Sequence, residues 1–167
     1  SDEIVYLFHG GEPLLAGIQF FEKVLKYQNR YFNNQKIQNH IQTNATLIDR
    51  KWAHFLEENR FRVSTSLDGP QFLHDIHRKD KYGKGTFSKV KRGIEFMREV
   101  GASVGIVITV NSSNVIYPES VYNFLNKEVQ ANGFEVNLCS PTKDSCKFIA
   151  DKKDTIHFLI TVFDMWW

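Results

Sequence analysis

The chain has 167 residues, of which 42% are hydrophobic, 14% aromatic and 24% charged, with a formal net charge of +2. A domain of this size removes roughly 70% of its unfolded surface from water, and the composition excludes a disordered, collagen-like or coiled-coil chain. So small a charge does not suggest a general nucleic-acid binder, and no apolar run approaches the roughly eighteen residues of a membrane span. With no basic-then-apolar leader, the expected compartment is the cytoplasm. The two cysteines, Cys139 and Cys146, match neither a disulfide framework nor a zinc-ligand spacing.

Apolar periodicity alternates between the strand and helix periods along the chain. A β-branched and aromatic run over 3–8 (EIVYLF) predicts a strand that stops at Gly10-Gly11. Helical spacing follows over 18–32, with Ile18, Phe21, Leu25 and Phe32 near one face. A strand is expected over 37–42, and Asp49 is placed to N-cap a helix burying Trp52, Phe55 and Leu56. Residues 61–67 return to strand and end at Asp68-Gly69-Pro70. A polar stretch over 71–85 precedes Thr86, an expected cap for a helix burying Phe87, Val90, Ile94 and Met97. The run VGIVITV over 104–110 reads as a strand covered on both faces. Pro118 opens a helix with Val121, Tyr122 and Leu125 inward. A last strand is expected over 134–139, and Asp151 caps a helix through Ile156, Leu159, Ile160 and Phe163.

Five strand–helix repeats predict a parallel α/β sheet with right-handed crossovers. A closed eight-fold barrel needs about 250 residues, so an open sheet or incomplete barrel is expected. Two large rings, Trp166-Trp167, make an unusual chain end and suggest an interior segment of a longer protein.

Ligands of parallel α/β folds lie beyond the carboxyl ends of the strands. Those ends carry His9-Gly10-Gly11-Glu12-Pro13, Gln42-Thr43-Asn44, Ser66-Leu67-Asp68-Gly69-Pro70 and Asn111. Gly10-Gly11 allows close backbone approach to a ligand, and Glu12 suits a cationic amine; a tight turn with a solvated Glu is the plainer alternative. Ser66 with Arg78 offers a hydroxyl and a guanidinium fork for a carboxylate, although Arg78 also suits a surface ion pair. Acceptors for an ammonium and donors for a carboxylate together describe a pocket for an amino-acid head group.

Other motifs are weaker. Gly83-Lys84-Gly85-Thr86 has the residues of a phosphate loop in the wrong order. His74 and His77 lack a third ligand for zinc, so no metal ligand is assigned. From Arg78 to Arg92, seven Lys or Arg face one Asp, which reads as a solvated face or a steering patch for an acidic segment. Cys139 is either a small buried hydrophobe or a strand-end residue facing the site.

HGGEPLLAG at 9–17, QTNATLID at 42–49, SLDGP at 66–70, HDIHR at 74–78 and GKGTF at 83–87 resemble the radical S-adenosylmethionine enzymes. The resemblance covers roughly residues 4 to 125. It is nearest to the subgroup with a SPASM-type auxiliary-cluster domain, which includes sulfatase-maturating enzymes and maturases of ribosomally made peptides. It implies a partial (β/α)6 barrel, with five of six units in a core domain over 1–167. The first unit would lie upstream and the auxiliary-cluster domain downstream. By this resemblance, Gly10, Gly11, Glu12 and Pro13 receive the methionine amine of S-adenosylmethionine, and Ser66 and Arg78 hold its carboxylate. Leu138 would touch the adenine, while His9, Gln42, Asn44 and Asp68 would line the rim toward nucleoside or substrate.

The implied chemistry is reductive cleavage of S-adenosylmethionine by a [4Fe–4S] cluster and hydrogen abstraction from a peptide side chain. The cluster needs a C-x3-C-x2-C loop, a spacing that this sequence does not contain. This chain alone is therefore expected to bind no cluster and to be inactive. A peptide or protein substrate and an electron donor such as flavodoxin or ferredoxin are the implied partners. His9 before the glycines leans toward the peptide maturases, with cysteine- or serine-to-formylglycine conversion as the alternative. Two other classes stay open: a non-redox α/β enzyme using Glu12, Asp68 and His9, and a cluster-less peptide-binding module.

Overall fold

The computed structural model describes residues 3–32, 35–140 and 148–167. Five strands, β1 (Glu3–Phe8), β2 (Lys36–Thr43), β3 (Arg62–Ser66), β4 (Val104–Val110) and β5 (Phe134–Leu138), form one sheet in the order β1-β2-β3-β4-β5. The paired strands β1–β2, β2–β3 and β4–β5 are parallel. Between and after them lie α1 (Ile18–Tyr31), α2 (Arg50–Glu58), α3 (Gln71–His77), α4 (Phe87–Glu99), α5 (Pro118–Asn123) and α6 (Lys152–Trp166). The parallel α/β fold and its five strand–helix units are those expected from the periodicity. By contacts the chain divides into two compact units, Ser1–Thr65 with Lys89–Val104, and Ser66–Ser88 with Gly105–Trp167.

In the first unit, α1 buries Phe21, which is 1% exposed. Its ring meets those of Phe8, Phe20, Trp52 and Phe61 edge to face, with centroids 5.2 to 5.8 Å apart. Such pairs add about 0.5–1.5 kcal/mol each beyond area burial, so this ring anchors α1 and α2 on the strands. Asp49 caps α2 as expected, its carboxylate accepting the Trp52 N–H at 2.8 Å. The amides of Gln28 on α1 and Asn39 on β2 satisfy one another reciprocally at 2.8 and 2.9 Å, which makes two buried polar groups tolerable.

In the second unit, Ile106, Val107 and Ile108 of β4 are all buried, as a strand covered on both faces requires. Leu67, Leu73, Val121, Phe124, Leu125, Phe158 and Val162 complete that core. Two features depart from the periodicity. The polar stretch after Pro70 contains α3, a seven-residue helix whose buried side is only Leu73 and His74. It is too short for periodicity to reveal. On α6 the buried residues are Phe158 and Val162, whereas Ile156, Leu159, Ile160 and Phe163 are exposed. A helix apolar on nearly all sides gives no phase from which to choose its inner face.

Thr86 stands at the expected start of α4, but its hydroxyl donates to the Arg78 carbonyl at 2.9 Å. The first turn is capped instead by Asp75, whose Oδ1 accepts the Phe87 N–H at 2.9 Å. A carboxylate therefore already occupies the helix start that a phosphate loop would offer to an anion. Gly85 is needed there because a Cβ would fall 2.1 Å from the Asp75 carboxyl carbon.

Within the first unit, Gly93 of α4 leaves room for the Ala45 carbonyl, which would lie 2.4 Å from an added Cβ. Backbone cannot retreat as a side chain end can. We therefore expect Gly93→Ala to destabilise the protein by about 1–3 kcal/mol, the usual range for overpacking, despite the better helix propensity of Ala. A denaturant midpoint equal to or above that of the parent would contradict this packing.

Candidate functional site

In the first unit the chain leaves β1 through Gly10 and Gly11, at φ 93° and 59°. A Cβ at either would meet nothing within 4 Å, so glycine is required there by conformation rather than by space. Both glycines and His9 are exposed. The turn leads into a short 3-10 segment, Pro13–Ala16, with Glu12 as its N-cap. Glu12 Oε1 accepts from the Leu14 N–H at 3.2 Å and from the Thr43 hydroxyl at 2.6 Å, and Oε2 accepts from the Asn44 N–H at 2.8 Å. One carboxylate thus ties the turn after β1 to the end of β2. The plainer expectation of a solvated Glu does not hold; the side chain is fixed by three donors.

Asn44 folds its own side chain back, Oδ1 accepting from the Thr46 N–H at 3.0 Å and the Thr46 hydroxyl at 2.7 Å. Gln42 is half-buried on β2, in register with Ser64. Thr43 was not singled out in the sequence, yet it is the residue that meets Glu12. Its place between two named polar residues, on the opposite face of the strand, was the available signal.

In the second unit the corresponding carboxylate is Asp68, which lies just past β3 and is 3% exposed. It was expected on the substrate rim, and burial places it elsewhere. Asp68 Oδ2 accepts from Arg78 Nε at 2.7 Å, while Oδ1 accepts from Arg78 Nη2 at 3.2 Å and from the Thr109 N–H of β4 at 2.9 Å. Arg78 Nη2 also donates to Thr109 Oγ1 at 3.1 Å. The ion-pair alternative for Arg78 is therefore realised, as a bidentate and part-buried pair rather than a surface one. Thr109 is a lone hydroxyl in an apolar strand, and that contrast is its signal in the sequence. Ser66 is half-buried at the end of β3, and Leu138 is exposed at the end of β5. The Asn111–Asn114 turn adds a lock: Asn114 Nδ2 donates to the Asp68 carbonyl at 3.2 Å and to that of Thr109 at 2.9 Å.

With Glu12 and Asp68 both held by several donors, neither resembles a carboxylate poised for proton transfer, which weighs against the non-redox acid–base alternative. The two histidines of the 74–78 segment are engaged too. His77 Nε2 pairs with Ser113 Oγ at 2.9 Å, and its ring lies 4.6 Å from that of Phe148. His74 is 1% exposed; its Nδ1 accepts the Asp68 N–H at 3.4 Å and its Nε2 meets Thr86 Oγ1 at 3.1 Å. No group of three or more His, Cys, Asp or Glu among the described residues is arranged to hold a metal ion. Cys139 is half-buried just past β5, its N–H donating to the Val110 carbonyl at 3.0 Å, and Cys146 lies outside the described residues. The thiolates an iron–sulfur cluster requires are thus not supplied by this chain at the needed spacing.

Burial pushes the His74 imidazole below its ordinary pKa of 6.5, and burial does the same, first among several causes, for His77. The unfolded chain then binds protons that the folded one refuses as pH falls through 6.5. Stability is fully present above that pH and is lost progressively below it. We expect the unfolding midpoint to drop between about pH 7.5 and about pH 5.5, and His74→Gln to flatten that drop while lowering the midpoint throughout. A slope unchanged by His74→Gln would show that His74 does not carry it.

A family model for the Radical SAM superfamily matches residues 3–125. The chain is 40% identical, over 97% of its length, to a cysteine-type anaerobic sulfatase-maturating enzyme of Clostridium perfringens, of which it covers 45%. It is 33% identical, over 98% of its length, to a serine-type anaerobic sulfatase-maturating enzyme of Bacteroides thetaiotaomicron, of which it covers 44%. The solved structure of native anSMEcpe with bound AdoMet and Kp18Cys peptide superposes with a TM-score of 0.93 at 37% identity, across 99% of this chain and 47% of that one. The chain therefore spans somewhat under half the length of the curated relatives it matches. The first four strand–helix units and the glycine turn after β1 lie within that match, which takes in about three quarters of the sequence: the chain belongs to the Radical SAM superfamily.

Proposed function

We propose that this chain is the S-adenosylmethionine-binding core, over 1–167, of an anaerobic enzyme that matures a protein or peptide, with sulfatase maturation the favoured case. The observation that carries the reading is the Arg78 guanidinium, held part-buried at the end of β3 by a bidentate carboxylate. Asp68 and Thr109 engage Nε and Nη2, so the Nη1 end of the planar fork is the part that meets an external carboxylate. Ser66 supplies a hydroxyl from the same strand end. The exposed Gly10-Gly11 backbone of the first unit, steadied by Glu12 and Pro13, offers acceptors that suit an amine. Leu138 is the apolar contact for adenine, and His9, Gln42 and Asn44 face nucleoside or substrate. Asp68 acts behind Arg78.

S-adenosylmethionine and an iron–sulfur cluster supply one-electron chemistry when both are bound. The residues of this chain bind and orient: they fix the charges of the amino-acid head and so the position of the bond that breaks. With only Cys139 and Cys146 this chain has no C-x3-C-x2-C spacing for cluster ligands, and its donor set suits the amino-acid head of S-adenosylmethionine. Within the maturase class, relatives of both the cysteine and the serine type favour formylglycine formation on a sulfatase over peptide maturation. A cytoplasmic setting and a small electron-donor protein belong to the same reading.

Removing a charge-assisted contact costs about 1.5–3 kcal/mol, or roughly ten- to a hundredfold in affinity. We expect Arg78→Ala to weaken S-adenosylmethionine binding to that extent, measured by calorimetric titration of the protein with its natural flanking sequence. Unchanged affinity would rule out Arg78 as the carboxylate site. Turnover that persists without iron and in air would instead support the non-redox class.

A further inference from the structure

The segments HDIHR and GKGTF, which carry much of the family resemblance, hold no ligand group other than Arg78. Their geometry explains them in another way. Arg78 is gripped at its backbone as well as at its side chain. Its N–H donates to the His74 carbonyl at 3.0 Å, and its carbonyl accepts both the Thr86 N–H at 3.0 Å and the Thr86 hydroxyl at 2.9 Å. Because Thr86 Oγ1 gives its proton to Arg78, it must accept from His74, so His74 carries its proton on Nε2. His74 Nδ1 is then the acceptor its neighbour needs, and it faces the Asp68 N–H. A directed relay runs from the Asp68 backbone through His74 and Thr86, 1% and 8% exposed, to the Arg78 backbone.

The Asp68–Arg78 ion pair closes this relay into a ring. The ring is braced from outside. Asp75 anchors the start of α4 through the Phe87 N–H, Gly85 gives the Asp75 carboxyl its room, and Lys79 bridges to Gly85. Arg has a long, rotamer-rich side chain whose ordering opposes ligand binding. Fixing both its backbone and its carboxylate partner before the ligand arrives removes much of that cost.

We infer that His74 and Thr86 are positioning residues that preorganise the Arg78 guanidinium for a ligand carboxylate. This rests on the reading of Arg78 given above, and the test separates the two. Thr86→Val keeps the volume and removes the hydroxyl; Thr86→Ser restores it. Calorimetric titration of the holoprotein uses S-adenosylmethionine and decarboxylated S-adenosylmethionine, which lacks only the group Arg78 would hold. Thr86→Val is expected to weaken the former about five- to twentyfold, leave the latter unchanged, and be rescued by Thr86→Ser. Equal losses for both ligands, or no loss for either, overturn the inference. If Arg78→Ala does not abolish the preference for the carboxylate-bearing ligand, the reading of Arg78 fails and the ligand role of the relay with it. If Arg78→Ala abolishes that preference and Thr86→Val leaves it intact, the relay alone is overturned. Should Thr86→Val not fold, the ring-nitrogen NMR shifts of His74 in the unaltered protein decide: an Nε2-protonated tautomer is expected, and an Nδ1-protonated one overturns the relay.

Discussion

A carboxylate 3% exposed cannot persist as a charge without compensation, and the second unit is arranged to compensate Asp68. Its two oxygens receive a backbone N–H from β4 and two N–H groups from the Arg78 fork. Its own N–H and carbonyl are taken by His74 and Asn114. Strand end, following helix and the next strand are thereby tied through one residue. Such a pair is weak support for stability, since burying two charges offsets much of their attraction. What it provides is a guanidinium in one orientation. Loss of Arg78 would leave the Asp68 carboxylate buried without its counter-charge.

Glu12 plays a related part in the first unit under milder burial. It caps the turn after β1 and holds Thr43 and Asn44 at the end of β2, so that two strand ends and the glycine turn are tied together. In both units an acidic residue that chemistry would readily cast as a ligand group is instead held as scaffold by several donors. What each carboxylate leaves presented is exposed glycine backbone in the first unit and the Nη1 edge of a guanidinium in the second. A fixed dipole or cation needs little reorganisation when its partner arrives, which is the general basis of a strong polar site.

The Gln28–Asn39 amides and the His74–Thr86 relay obey the same rule in the interiors of the two units. Each buried donor meets a named acceptor. Outside these clusters the apolar surface is less settled. An apolar groove of about 450 Å³ lies at the amino end of β5, lined by Phe134, Val136, Leu159, Phe163 and Trp166 among others. No helix among the described residues is long and apolar enough to cross a membrane.

Sequence by itself determined the order and kind of the major elements, because alternating periods of apolar residues follow directly from strand and helix geometry. It also identified the glycine turn, where φ of 93° and 59° demands glycine, and the Asp49 cap, whose effect is local. Only tertiary structure decided which way the polar side chains turn. Asp68 looked like a rim residue because its neighbours are turn residues, but its burial depends on Thr109, forty-one positions away. The inner face of α6 could not be read because apolar residues surround the helix, and packing alone chose Phe158 and Val162. The positions of Thr43, Thr86 and Thr109 hint at a role, but a hydroxyl gains its meaning only from the acceptor or donor the fold brings to it. Local periodicity is written in the chain; the partners of a buried polar group are set by contacts between residues far apart in sequence.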